Sequence, residues 1–126
     1  MAARSTNVTL QNNTTLTLTR TNANLSHGIW SQNLYPPQTI DSNSKGNWQS
    51  ESDGFMTGTE GTVTYQFLNA AGSVTINWDN PYAGSNSYSH SVPKGYILEQ
   101  TGGSGNNAVV TFTLSVDQSY VSDLKF

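Results

Sequence analysis

Two neighbouring segments, "TVTYQF" (62–67) and "SVTINW" (73–78), each carry an apolar residue at every second position, with only "LNAAG" between them. In an extended chain successive side chains point to opposite faces. Val63, Tyr65 and Phe67 therefore share one face, and Val74, Ile76 and Trp78 share one face of the next segment. A link this short joins them as a hairpin. A strand with one apolar face must bury it against a second layer, so this pattern demands stacked sheets.

The same period returns elsewhere. In "AVVTFTLSV" (108–116) Val110, Phe112, Leu114 and Val116 point inward, with Thr111, Thr113 and Ser115 outward. Val8 and Leu10 alternate, as do Leu16 and Leu18, and Asn12-Asn13 between them reads as a tight turn because Asn tolerates positive φ. These segments are expected to form a hairpin. "SHGIWSQ" is a further strand, carrying Ile29 and Trp30, which "LYPPQT" must end because Pro36 and Pro37 cannot donate to a ladder. "KGNWQSES" is a strand around Trp48, and "GYILEQ" is one whose inward face the pattern leaves open. "DGFMTGTEG" is glycine-rich and irregular; "GGSGNN" is a turn. The reading is one domain, residues 1–126, folded as an all-β antiparallel β-sandwich.

Composition supports that reading and narrows the partners. Charged residues are 10% of the chain and hydrophobic ones 34%, so most of the rest is Ser, Thr, Asn, Gln and Gly. Such residues compete with helical backbone bonds, while Thr and Val suit a pleated surface. There is no Cys to staple the fold. Net charge is −3, and the basic residues Arg4, Arg20, Lys45, Lys94 and Lys125 are scattered. Nucleic-acid binding and attraction to anionic membranes both draw on clustered Lys and Arg, so no nucleic-acid partner is expected. No apolar run is long enough to span a bilayer. The start lacks an apolar signal core, so an ordinary secretory leader is not expected.

Nothing in the chain points to catalysis. His27 and His90 are the only histidines, and neither lies in a recognisable catalytic block. "GGSGN" misses the nucleophile elbow. Scattered His without Cys does not make a zinc site, and "DNPYAGSN" lacks the spacing of a calcium loop. Gly54, Gly58 and Gly61 are expected to serve backbone conformations with positive φ, since the Lys of a phosphate loop is missing. Asp53 and Glu60 read as solvated loop acids. No cofactor and no metal are expected, and the protein is not expected to be an enzyme.

Three blocks in the same order, "ESDGFMTGTEGTVTY" (51–65), "DNPYAGSNSY" (79–88) and "GGSGNNAVVTFTL" (102–114), resemble the aegerolysin family, in particular the small component of bacterial binary insecticidal crystal toxins. Weaker similarity at "NNTT" and "GIW" extends through the first half. The resemblance implies a compact sandwich of two antiparallel sheets. It also implies a larger pore-forming partner, aerolysin-like or perforin-like, which the small component helps bring to insect gut membranes through lipid or glycan headgroups. Production in the bacterial cytoplasm, as a sporulation inclusion or crystal, and extracellular action at the host gut follow from the same resemblance. "DQSYVSDLKF" matches nothing in the family pattern.

The candidate membrane-binding residues are Trp30, Tyr35, Trp78, Tyr82 and Tyr88. Fungal relatives carry an aromatic–Asp–x–Pro–aromatic stretch linked to lipid headgroups, here Trp78, Asp79, Asn80, Pro81 and Tyr82. Alternation alone puts Trp78 on the core side of its strand, so the two readings of that residue compete. Tyr82 and Tyr88 lie beyond the strand, where an amphipathic ring suits a membrane interface. Trp30 sits at a comparable tryptophan position, and Tyr35 reads either as a surface ring or as loop packing. The rival from another class is a lectin-like carbohydrate-binding module without pore activity, since rings also stack on sugars. A self-associating structural or spore-coat protein is a third reading.

Overall fold

A computed structural model describes residues 2–123. Its strands are β1 (Ser5–Asn12), β2 (Leu18–His27), β3 (Ile29–Trp30), β4 (Thr39–Ile40), β5 (Ser44–Glu51), β6 (Thr59–Phe67), β7 (Ser73–Asn80), β8 (Ser87–Ser91), β9 (Tyr96–Gly102) and β10 (Asn107–Val116). A short helix, α1 (Gln118–Asp123), follows. The Asp117 carboxylate starts it by accepting the Ser119 and Tyr120 N–H groups at 3.0 and 3.3 Å. The strands form two five-stranded sheets, in the orders β3-β5-β1-β10-β9 and β4-β2-β6-β7-β8. The β-sandwich expected from the alternation is the architecture found.

The alternating residues face one another across the two layers. β6 buries Val63, Tyr65 and Phe67, and β7 buries Val74, Ile76 and Trp78. The hairpin register sets Val63 opposite Ile76 and Tyr65 opposite Val74. From the other sheet come Val8, Leu10, Trp48, Val110, Phe112 and Leu114, with Leu98 turned inward from β9. Each such side chain contributes about 1.5–3 kcal/mol on full burial. Trp48, Tyr65 and Trp78 fill the centre, with Trp48 ring centroids 6.1 Å from Tyr65 and 6.3 Å from Trp78. Trp78 is 1% exposed, and its indole N–H donates to Ser50 Oγ at 2.9 Å. The alternation rule prevails here: Trp78 is a core residue, and its assignment to a membrane-contact surface is corrected.

Two further expectations change. The first sheet is mixed, because β1 and β10 run parallel from Ser5↔Asn107 to Asn12↔Leu114. A parallel pair needs a long crossover, and the first and last strands have almost the whole chain between them. The expected hairpin between the first two strands does not form either; β1 and β2 lie in different sheets. Asn12 decides this. Its side chain is buried, and its amide donates to the carbonyls of Leu16, Ile40 and Asp41 at 2.8, 3.4 and 3.1 Å. Its Oδ1 accepts from Thr14 N–H and Oγ1 at 3.2 and 2.7 Å. The residue read as a turn former is a polar bracket at a corner where the chain changes sheets.

Candidate functional site

β1 and β10 begin, and β5, β7 and β9 finish, at one end of the sandwich. Residues 2–4, the loop 52–58, the loop 81–86 and the turn 103–106 gather there. In the first loop Gly54 and Met56 both take positive φ, 120° and 58°. Thr57 Oγ1 closes the turn by donating to Gly54 O at 2.9 Å. A non-glycine residue rarely holds this conformation, and it turns the pair Phe55–Met56 outward. Phe55 is 90% exposed and Met56 54%. Gly58 and Gly61 do not take the expected positive φ; a Cβ on Gly58 would clash with Asn80 O where the loop crosses the end of β7, and one on Gly61 with the Leu25 and Trp78 side chains.

The remainder of the end is braced. The Asn80 amide donates to Ser5 O and Asn106 O, both at 3.0 Å, and ties one sheet to the other. Arg4 exchanges bonds with Ser52, its N–H reaching Ser52 Oγ at 3.1 Å while its carbonyl accepts the Ser52 N–H at 2.8 Å. Its guanidinium lies 4.5 Å from the Tyr82 ring centroid and donates to the carbonyls of Pro81 and Tyr82. Tyr82 is thereby held with part of its ring in solvent. Beneath, Thr59 donates to Ser50 Oγ at 2.7 Å, while the buried Thr6 Oγ1 and Asn80 Oδ1 have no hydrogen-bond partner.

An open cavity of about 500 Å³ lies between Ile29, Glu51, Asp53, Phe55, Met56 and Tyr82. A second, of about 320 Å³, shares Met56 and Tyr82 and adds His27, Glu60 and Asp79. His27 Nδ1 sits 3.1 Å from Glu60 Oε1, and Glu60 lies opposite Asp79 in the β6–β7 register. Burial, reinforced by the Glu60 carboxylate and opposed by His27, raises the Asp79 pKa. The end thus presents an apolar tip above four carboxylates. The tip can enter the boundary between lipid headgroups and acyl chains, and the carboxylates can face a cationic group but not an anionic one.

The five residues singled out in the sequence do not converge. Trp30, half-buried, packs edge-on to Tyr35 at 5.2 Å and to Trp78 at 6.0 Å, forming a line of rings from the surface into the core. Tyr35 is 50% exposed, with the Arg20 guanidinium 4.8 Å from its ring centroid. Tyr82 belongs to the tip. Tyr88 is half-buried on β8 next to Trp78; its ring packs on Phe112 at 6.2 Å and its hydroxyl donates to Gly103 O at 2.7 Å. Burial raises its pKa. The most exposed rings and chains of the tip, Phe55 and Met56, were missed by sequence reasoning because they interrupt the alternation. The available signal was a pair of large apolar residues between Gly54 and Gly58, in a block that no strand could bury.

The fold is a two-sheet β-sandwich, with the exposed side chains of Phe55, Met56 and Tyr82 gathered at one end. The sequence profile of the Aegerolysin family matches residues 3–119, and the chain belongs to that family. An uncharacterized protein of Dictyostelium discoideum is 33% identical over 113 residues, which is 89% of this chain. The chain spans only about a tenth (10%) of that relative's length. Among solved structures, the lipid binding protein Nakanori aligns with a TM-score of 0.78 at 13% identity, over 91% of this chain and 72% of its own. IP-1A from Alcaligenes faecalis aligns with a TM-score of 0.69 at 19% identity, over 89% of this chain and 91% of its own. At such identities these two matches establish the fold alone.

Proposed function

We propose that this protein is a non-enzymatic membrane-binding module that docks with its Phe55–Met56–Tyr82 end on lipid bilayers. The observation that carries the reading is the 90% exposure of Phe55 at the tip of a loop mounted on a braced, nearly uncharged scaffold. A contiguous exposed apolar patch, here Ile29, Phe55, Met56 and Tyr82 around one cavity, marks an interaction surface. Aromatic rings suit the headgroup level, where the polar edge stays hydrated. Basic clusters are missing from the described residues of this end, so docking draws on ring insertion, with the carboxylates of Glu51, Asp53, Glu60 and Asp79 facing the ammonium of a zwitterionic headgroup. Membership in the aegerolysin family and the fold shared with a lipid binding protein support this.

The fuller reading is the small component of a binary insecticidal toxin. In it the sandwich binds insect gut membranes and promotes the action of a larger pore-forming partner, aerolysin-like or perforin-like. The protein is then made in a bacterial cytoplasm, stored as an inclusion, and active outside the cell at the gut surface. The family resemblance of the blocks 51–65, 79–88 and 102–114 supports this reading. The test is dye release from insect gut membrane vesicles, with and without the candidate partner. Binding without release by the small protein, and release only when both are present, is the expected pattern. Equal release by the partner alone defeats the two-component reading, and no vesicle binding at all defeats the docking.

A further inference from the structure

On the β8–β9 side of the same end, a separate cavity of about 370 Å³ opens between the 81–86 loop and the 102–106 turn. None of the residues lining it carries a formal charge, in contrast to the acidic rim beside the tip. Its walls are bonded in place. The Asn86 amide donates to Gly103 O and Gly105 O, both at 2.9 Å. Tyr88 donates to the same Gly103 carbonyl at 2.7 Å, and Gln100 Nε2 donates to Gly102 O at 3.2 Å. A Cβ on Gly103 would lie 2.7 Å from the Tyr88 ring, so the turn can lie against the ring only as glycine.

These bonds use the Asn86 N–H groups and the Gly102, Gly103 and Gly105 carbonyls and leave both donors and acceptors on the wall. Among the described residues, Asn86 Oδ1 and Gln100 Oε1 have no protein partner, and neither do the Ser104 and Asn106 side chains. The wall is therefore a set of neutral amides and hydroxyls beside the half-buried Tyr88 ring, with Asn86 and Tyr88 bonded in place and Ser104 and Asn106 exposed. Such a wall offers no countercharge to a phosphate, a sulfate or an ammonium. Sugar hydroxyls each donate and accept, and they fit this mixture, while a sugar's C–H face suits an aromatic ring. The volume sits near the lower end of the roughly 300–1,000 Å³ usual for small-ligand sites, the scale of a short glycan.

We infer that this cavity is a neutral-carbohydrate site, distinct from the bilayer-docking tip. It goes beyond the membrane-docking reading and does not depend on it. Because the cavity opens at the same end, the sugar can be borne by a glycolipid or by a membrane glycoprotein. The test is titration of the 15N-labelled protein with neutral oligosaccharides and their sialylated counterparts, followed by amide shifts. Vesicles of phosphatidylcholine, with and without a neutral glycosphingolipid, form a parallel arm.

The expected result is saturable shifts for neutral sugars, confined to residues 84–88 and 100–106. Ser104→Trp, which puts an indole at the mouth of the cavity, and the exposed change Gln100→Ala weaken binding about tenfold or more at unchanged Tm. Tighter binding to glycolipid vesicles, reversed by free sugar, assigns a lipid-borne glycan; sugar shifts with equal vesicle binding assign a protein-borne one. Absence of shifts with every neutral sugar, preference for sialylated ones, or full binding by Ser104→Trp overturns the inference. Phe55→Ala, expected to lose plain-vesicle binding and keep the sugar shifts, separates failure of this site from failure of the tip.

Discussion

Truncating Phe55 tests the docking end with little risk to the fold. The ring is 90% exposed, so Phe55→Ala removes almost no packing from the free protein, and surface changes of this kind usually stay within about 0.5 kcal/mol. In the docked state the ring leaves water. Full burial of a Phe side chain is worth about 1.5–3 kcal/mol, and a ring seated at the headgroup boundary recovers most of it, about 2 kcal/mol. At 1.4 kcal/mol per factor of ten, that is roughly a 30-fold loss of affinity. The assay is partitioning into zwitterionic vesicles by co-sedimentation, with thermal unfolding in parallel. Leu68→Ala is the control: Leu68 is 49% exposed but lies in the β6–β7 loop at the opposite end, and its loss should leave partitioning unchanged. Affinity of Phe55→Ala within twofold of the parent, or an equal loss in Leu68→Ala, refutes the placement of the interface.

Three other substitutions probe the scaffold. Trp78→Ala empties the centre of the core and strips Ser50 Oγ of its indole donor; it should cost about 3–5 kcal/mol, read as a lower denaturant midpoint, and a fold as stable as the parent would contradict its burial. Asn12→Ala leaves the Ile40 and Asp41 carbonyls without its amide donor and removes the 2.7 Å acceptor of the Thr14 hydroxyl; a loss of about 3 kcal/mol is expected, measured by urea unfolding. Asp79 is held above its ordinary pKa of 3.8 by burial and by Glu60. The folded state therefore disfavours its ionisation, and the stability linked to its neutral form is complete below that ordinary value and lost as pH rises through the folded one. Asp79→Asn should accordingly raise Tm at pH 7, with the gain fading below pH 3.8; a pH-independent difference would show that ionisation is not its source.

What could be read directly from the sequence was the local geometry of each strand. Val63, Tyr65 and Phe67 point one way because a pleated chain alternates, whatever surrounds it, and the same holds for Val110, Phe112 and Leu114. Low charge and the lack of basic clusters likewise limit the partners before any folding is considered. The short link "LNAAG" sufficed to pair β6 with β7, because hairpin closure is a local event. Pairing between distant strands is not local. That β1 meets β10 in parallel, and that Asn12 turns the chain into the other sheet, depend on carbonyls at Ile40 and Asp41 which sequence distance conceals. Burial is decided in the same way. Trp78 and Tyr82 sit four residues apart in one family stretch, yet the opposite sheet covers the first and leaves the second at the rim. Phe55 and Met56 broke the alternation and so gave the pattern nothing to read. Their exposure arises only when Gly58 carries the loop across β7 and the assembled end offers them no second layer to enter.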